Sequence, residues 1–255
     1  FPDCVIIAYA DDVWILGPPA RAALAFRSFR SMYDSKLKGN LRVDKCMVYS
    51  PTLSPEQLLD ADLPAELEYR SPLCPQPAQQ GIRCVGAPIS TSESYMAWYM
   101  EEKVTELRQH LDLTDLYKSS QNKLSIASQS IVHKMQFLLR VTPPSPAVVV
   151  ASQKFDQALR GILQRLAGPG TLPDHAWSQA QLPVELGGLG LTSCALMHEL
   201  TYASCFAQMM HKTASRFPDN IENILATSSP AFQLFGQCRD RYLACYPAAK
   251  EHWLS

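Results

Sequence analysis

The stretch from Cys4 to Leu16, CVIIAYADDVWIL, places two adjacent carboxylates, Asp11 and Asp12, inside an otherwise apolar run. Adjacent carboxylates repel, and charge in an apolar run is costly to bury unless something compensates it. Ile6, Ile7, Tyr9, Val13, Trp14 and Ile15 are strand formers, so the pattern predicts two short strands around a tight turn at Ala10-Asp11-Asp12. Such a hairpin holds its tip rigidly and can push carboxylates into a cleft where cations neutralise them. Mg²⁺ takes hard oxygen ligands, usually one or two carboxylates with phosphates and waters. Two such ions about 4 Å apart suit in-line phosphoryl displacement. The plain alternative is a pair of ordinary turn aspartates.

The rest of the chain divides near residue 90. Leu24, Phe26, Phe29, Met32 and Tyr33 form a helical apolar stripe over 20–35, with Arg21, Arg27 and Arg30 on the exposed side. A short strand is predicted in LRVDKCMVYS (41–50), and GIRCVGAPIS (81–90) is strand-like with a glycine bend. Between them, residues 51–80 mix prolines and acids and read as a loop or insertion, with a helical turn near Gln57–Leu59. Ser90 and Glu93 fit a capping box. Beyond it the pattern is helical, carried by Met96, Met100, Val104, Leu107 and Leu111, then by Leu124, Ala127, Ile131, Met135 and Leu138. Further helices are read around 148–166, 196–210 and 230–245, and LPVELGGLGL (182–191) is a glycine-rich loop. Trp98 and Tyr99 are expected to anchor the first helix of this half. The fold class is therefore α+β over 1–90, followed by an all-α region over 91–255.

With 47% hydrophobic residues the chain can bury a sizeable core, and its formal net charge of -1 excludes a uniformly basic nucleic-acid binder. Eight cysteines lack any C-x-x-C pair, which fits reduced thiols in an intracellular protein. The six histidines share no metal-ligand spacing, and the glycine-rich loop lacks the Lys-Ser/Thr ending of a Walker phosphate loop. No run is long enough to span a membrane, so no membrane partner is expected. The start inside a strand-like run without Met suggests a piece of something longer.

YADD (9–12) between apolar strands resembles the metal-binding hairpin of reverse transcriptases. GNLRVDKCMVYS resembles that family's segment of glycine, apolar strand and lysine, and IRCVGAPIS its primer-gripping hairpin. The amphipathic helices are similar to a thumb, and LPVELGGLGL to a segment downstream of the polymerase core in relatives of non-long-terminal-repeat retrotransposons. The resemblance implies a partial polymerase palm (hairpin, helix, short strands) followed by a helical thumb and connection region. It implies that Asp11 and Asp12 hold two Mg²⁺ ions, with Asp12 the weaker ligand. It puts Tyr9 under the primer end or incoming nucleotide. Lys45 would stand near the triphosphate, and Val85, Gly86 and Ala87 would grip the primer end. Implied partners are template–primer, dNTPs and an upstream part of the same polyprotein.

The family takes another metal-binding Asp from a strand upstream of this hairpin, and only ten residues precede Asp11. The chain alone is therefore expected not to polymerise. Apolar surface around Ile6, Val13 and Ile15 should be exposed where the absent elements would pack. Between Leu116 and Arg165 the basic residues are Lys118, Lys123, Lys134, Arg140, Lys154, Arg160 and Arg165, and Asp156 is the sole acid. That stretch could track phosphates. Two other readings stay open: a catalytically dead, retroelement-derived binding or scaffold module, and an unrelated helical interaction protein with a chance YADD.

Overall fold

The computed structural model describes residues 3–36, 38–39, 41–60, 63–216 and 230–245. The chain is mixed α and β and divides into two compact units at Tyr95–Met96. Among the described residues, the strands pair only two by two, into three separate ribbons.

In the first unit, β1 (Val5–Tyr9) and β2 (Asp12–Leu16) pair antiparallel, with Tyr9 opposite Asp12 and Val5 opposite Leu16. The two-residue loop is Ala10-Asp11. Ala10 has φ 52°, the left-handed region that such a loop asks of its first central residue and that glycine normally fills. Ile6 is 54% exposed and Val13 39%, whereas Ile15 is half-buried. Val5 and Ile7 are exposed as well, so both faces of β1 are uncovered, not the single face expected of an incomplete sheet. A lone two-stranded ribbon is marginal in water.

Helix α1 (Pro19–Lys36) follows. Its buried positions are Ala23 and Ala25, while Leu24 and Met32, expected in the apolar stripe, are exposed. Phe26, Phe29 and Tyr33 of the same stripe are half-buried, the last two with ring centroids 5.9 Å apart. Residues 41–50 are not one strand. Val43–Lys45 forms a single 3₁₀ turn, held by the amide of Lys45 donating to the Arg42 carbonyl (3.0 Å) and by a two-pronged Arg42–Asp44 ion pair. Only Met47–Tyr49 is strand (β3).

The proline- and acid-rich segment is an integral part of the unit. Ser54 and Gln57 form a reciprocal capping box that starts α2 (Pro55–Leu59), and Leu58 is buried. Strand β4 (Glu68–Arg70) then pairs parallel with β3, Val48 opposite Tyr69. Gln80 ties the following turns down: its side-chain amide donates to the Cys74 carbonyl (2.7 Å), its carbonyl accepts from the Ser90 hydroxyl, and its side-chain oxygen accepts from Ser92 Oγ. Gly81 lies against Tyr95, where a Cβ would come within 2.6 Å of the ring. These contacts fix the base of the ribbon β5 (Ile82–Cys84) and β6 (Ala87–Ile89).

Helix α3 (Glu93–Leu113) is capped by Ser92, whose hydroxyl accepts from the Tyr95 amide (3.3 Å). Ser90, expected to be the cap, is engaged with Gln80 instead.

The second unit is helical. It continues with α4 (Ser120–Ile126), a π turn at Ala127–Ile131, α5 (Val132–Val141), α6 (Pro146–Ala167), α7 (Asp174–Gln181), α8 (Cys194–Arg216) and α9 (Pro230–Cys245). Helix α8 is central, packed by α5, α6 and α9. Tyr99, Met100, Val104, Leu107, Leu111, Met135, Leu139, Phe155 and Leu159 are buried, and Trp98 is half-buried. Between α8 and α9, rings of Tyr202, Phe206, Phe235 and Phe232 run in series with centroids 5.4–6.1 Å apart.

The glycine-rich loop is self-contained. The amides of Leu189 and Leu191 both donate to the Ala180 carbonyl, Gly190 donates to Leu182, and Gln179 Nε2 donates to Gly187 (2.8 Å). A Cβ at Gly188 would lie 1.9 Å from the Leu182 carbonyl oxygen, so close backbone approach demands glycine there. No described helix is long and apolar enough to cross a membrane.

Candidate metal and nucleic-acid site

The loop between β1 and β2 raises Asp11 to the tip of the ribbon, and Asp12 opens the returning strand. Both carboxylates are exposed, and neither makes an ion pair or hydrogen bond among the described residues. Their oxygens are free to take hard cations, and a tip of two unneutralised carboxylates fits the ligand chemistry of Mg²⁺. Tyr9 lies beside Asp12 across the ribbon and is 64% exposed.

Burial pushes the Cys84 thiol upward, and the nearby Asp12 carboxylate adds to the rise. Cys84 pairs with Ala87 across the two-residue turn Val85-Gly86, with φ 50° at Val85 and 78° at Gly86. Positive φ at both central positions is the twist-matched hairpin turn that Asn-Gly serves best. A β-branched residue there is a steric outlier, and Val85, 53% exposed, gains little packing in return. Val85→Asn should therefore raise stability by about 1 kcal/mol, read as an upward shift of the urea midpoint of the full chain. Val85→Ala keeps the positive-φ penalty and should give much less. Equal gains from the two would place the benefit in the lost branching, not in the turn.

Lys45 closes the 3₁₀ turn, is exposed, and makes no hydrogen bond or ion pair with Asp11 or Asp12. Asp12 acts electrostatically on Cys84, the residue before the Val85–Ala87 bend, and among the described residues Lys45 makes no hydrogen bond or ion pair with Asp11 or Asp12. Among the described residues no group of three or more His, Cys, Asp or Glu side chains could hold a metal ion. His252 lies outside the described residues.

In the second unit the basic stretch is partly neutralised by acids from outside it. Lys123 pairs with Asp115 (3.3 Å), Lys154 with Glu101 (2.6 Å), Arg160 with Asp174 (2.7 Å) and Arg165 with Asp115 (3.2 Å). Lys118, Lys134 and Arg140 are exposed and form no ion pair among the described residues. Asp156 turns away from the cations altogether. Its carboxylate accepts from the Ser193 hydroxyl (2.7 Å) and from the amides of Cys194 (2.9 Å) and Ala195 (3.1 Å), so a residue of α6 caps the N-terminus of α8.

No family model, curated protein or solved structure matches the chain. Sequence pattern does not single out Phe137, whose exposure follows from the phase of the buried residues of α5.

Proposed function

We propose that this chain carries part of the catalytic palm and the helical thumb of a retroelement reverse transcriptase, an RNA-directed DNA polymerase. The observation that carries the reading is the pair of exposed, unneutralised carboxylates at a tight hairpin tip. Asp11 and Asp12 would hold Mg²⁺, which when bound supplies charge stabilisation for nucleotidyl transfer. Tyr9 would support the primer end, and Val85, Gly86 and Ala87 would hold it. Lys45 would reach the triphosphate through its own flexible stem. Lys118, Lys123, Lys134 and Arg140 would follow the template–primer backbone.

Two carboxylates on one hairpin leave a two-ion centre short of ligands, so a third is assigned to a segment outside the described residues, in the same polyprotein. A second reading, a non-catalytic nucleic-acid-binding module, is favoured by the cations of the second unit alone.

Site-directed cleavage by bound Fe²⁺, substituted for Mg²⁺ in the presence of ascorbate and peroxide, separates these. The polymerase reading expects backbone scission of the full chain near residues 10–12. Scission should be suppressed by excess Mg²⁺ and lost in the Asp11→Asn, Asp12→Asn double variant. Cleavage that ignores the double substitution would remove the metal site and leave the binding module.

A further inference from the structure

Phe137 is 43% exposed and makes no ring contact among the described residues. It stands midway along α5, whose buried side is Val132, Met135, Leu138 and Leu139. At 100° per residue, His133, Phe137 and Arg140 fall within an arc of roughly 60° opposite that buried side. Lys134 borders the arc and is exposed, as are His133 and Arg140. The His133 ring is steadied by a hydrogen-bonding contact of its Nδ1 with Gln136 (2.9 Å).

No Asp or Glu occurs from Lys118 to Phe155, and the outward positions of α4 and the π turn are Ser, Gln and Asn. Glu106 interacts electrostatically with Lys134 but is itself bonded to Lys103 (2.6 Å). Surrounding an exposed aromatic ring are thus unpaired cations and neutral hydrogen-bonding groups. A π turn such as Ala127–Ile131, directly preceding α5, is a feature that concentrates at functional sites.

We propose that the outward face of α5 binds single-stranded nucleic acid, with a base stacked on the Phe137 ring and flanking phosphates held by Lys134 and Arg140. The charge pattern selects a polyanion over an apolar partner helix, because a second protein surface would meet three cationic or imidazole groups around one ring. The ring selects unpaired bases, since only they offer a free π face. This inference rests on the nucleic-acid contact proposed above for Lys134 and Arg140 and adds the strand form and the stacking ring; it uses no residue of the β1–β2 hairpin, so loss of the hairpin metal site would leave it standing.

The test is fluorescence anisotropy of the full chain with labelled 12-nucleotide oligo-dT, labelled oligo-U and a 12-base-pair duplex, titrated against salt. Phe137→Ala should weaken single-strand binding about tenfold, the worth of one stacked base, with the salt slope and duplex affinity unchanged. Phe137→Trp should restore it. Lys134→Ala with Arg140→Ala should lower the salt slope by roughly two phosphate contacts. Equal losses for single strand and duplex on Phe137→Ala would overturn the stacking role. So would no single-strand binding by the wild type, or a change confined to self-association of the chain.

Discussion

Asp156→Ala should lower the unfolding free energy of the full chain by about 3 kcal/mol, read by urea titration of helical circular dichroism. The carboxylate satisfies the Ser193 hydroxyl and two amides at the start of α8. Ser193 and Cys194 are buried, so water cannot readily replace it. Helix α8 is the element against which α5, α6 and α9 pack, so a frayed start there is felt throughout the second unit. Asp156→Asn keeps an acceptor on one side only and turns an N–H toward a donor, and should cost less than alanine but more than 1 kcal/mol.

The pH dependence has a definite sign. Burial pushes the Asp156 carboxyl above the ordinary carboxylate range, against the pull of its three donors. Ionisation is therefore harder in the folded chain than in the unfolded one. The contribution is largest below the unfolded carboxylate value and declines as pH rises through the raised one. The gap between wild type and Asp156→Ala should be wider near pH 4 than near pH 7. A gap that widens toward neutrality would mean that the three donors outweigh burial.

Local pattern made much of this fold legible. Alternating strand formers around Ala10-Asp11-Asp12 give the β1–β2 ribbon, and the three-and-four spacing of Met100, Val104, Leu107 and Leu111 gives α3. Serine and glycine mark the ends of α6 at Ser145 and Gly168. What stayed hidden depends on partners distant in sequence. Strand β4 acquires its meaning from β3, some twenty residues earlier, and three residues within a run of prolines and acids carry no periodicity of their own. In α1 the apolar stripe is half-buried at Phe26, Phe29 and Tyr33 but exposed at Leu24 and Met32, and the fully buried positions are the small Ala23 and Ala25, which a stripe drawn through the largest residues passes over. The cations of α6 looked unopposed because Glu101, Asp112, Asp115 and Asp174 lie outside the stretch. Asp156 looked like a lone surface acid because the helix end it caps begins almost forty residues later.

On the proposed polymerase reading, substitutions of the hairpin carboxylates should have the largest functional effect. In a polypeptide that contains this chain and extends a primer, the proposed reading expects Asp11→Asn to reduce template-directed dNTP incorporation by about a thousandfold or more, the several kcal/mol that a transition state held by metal ions would lose with one of their carboxylate ligands. The substitution keeps shape and removes charge, so folding should be untouched: the carboxylate is exposed and makes no ion pair or hydrogen bond among the described residues. Asp12→Asn should cost less, because Asp12 begins β2 while Asp11 stands at the tip. The 255-residue chain alone should incorporate no dNTP, since two carboxylates do not complete a two-ion centre. Incorporation by that chain would locate the third ligand within it. Full activity in the Asp11→Asn protein would reduce YADD to an ordinary turn, and the stacking face of α5 would then be the feature that defines what this chain binds.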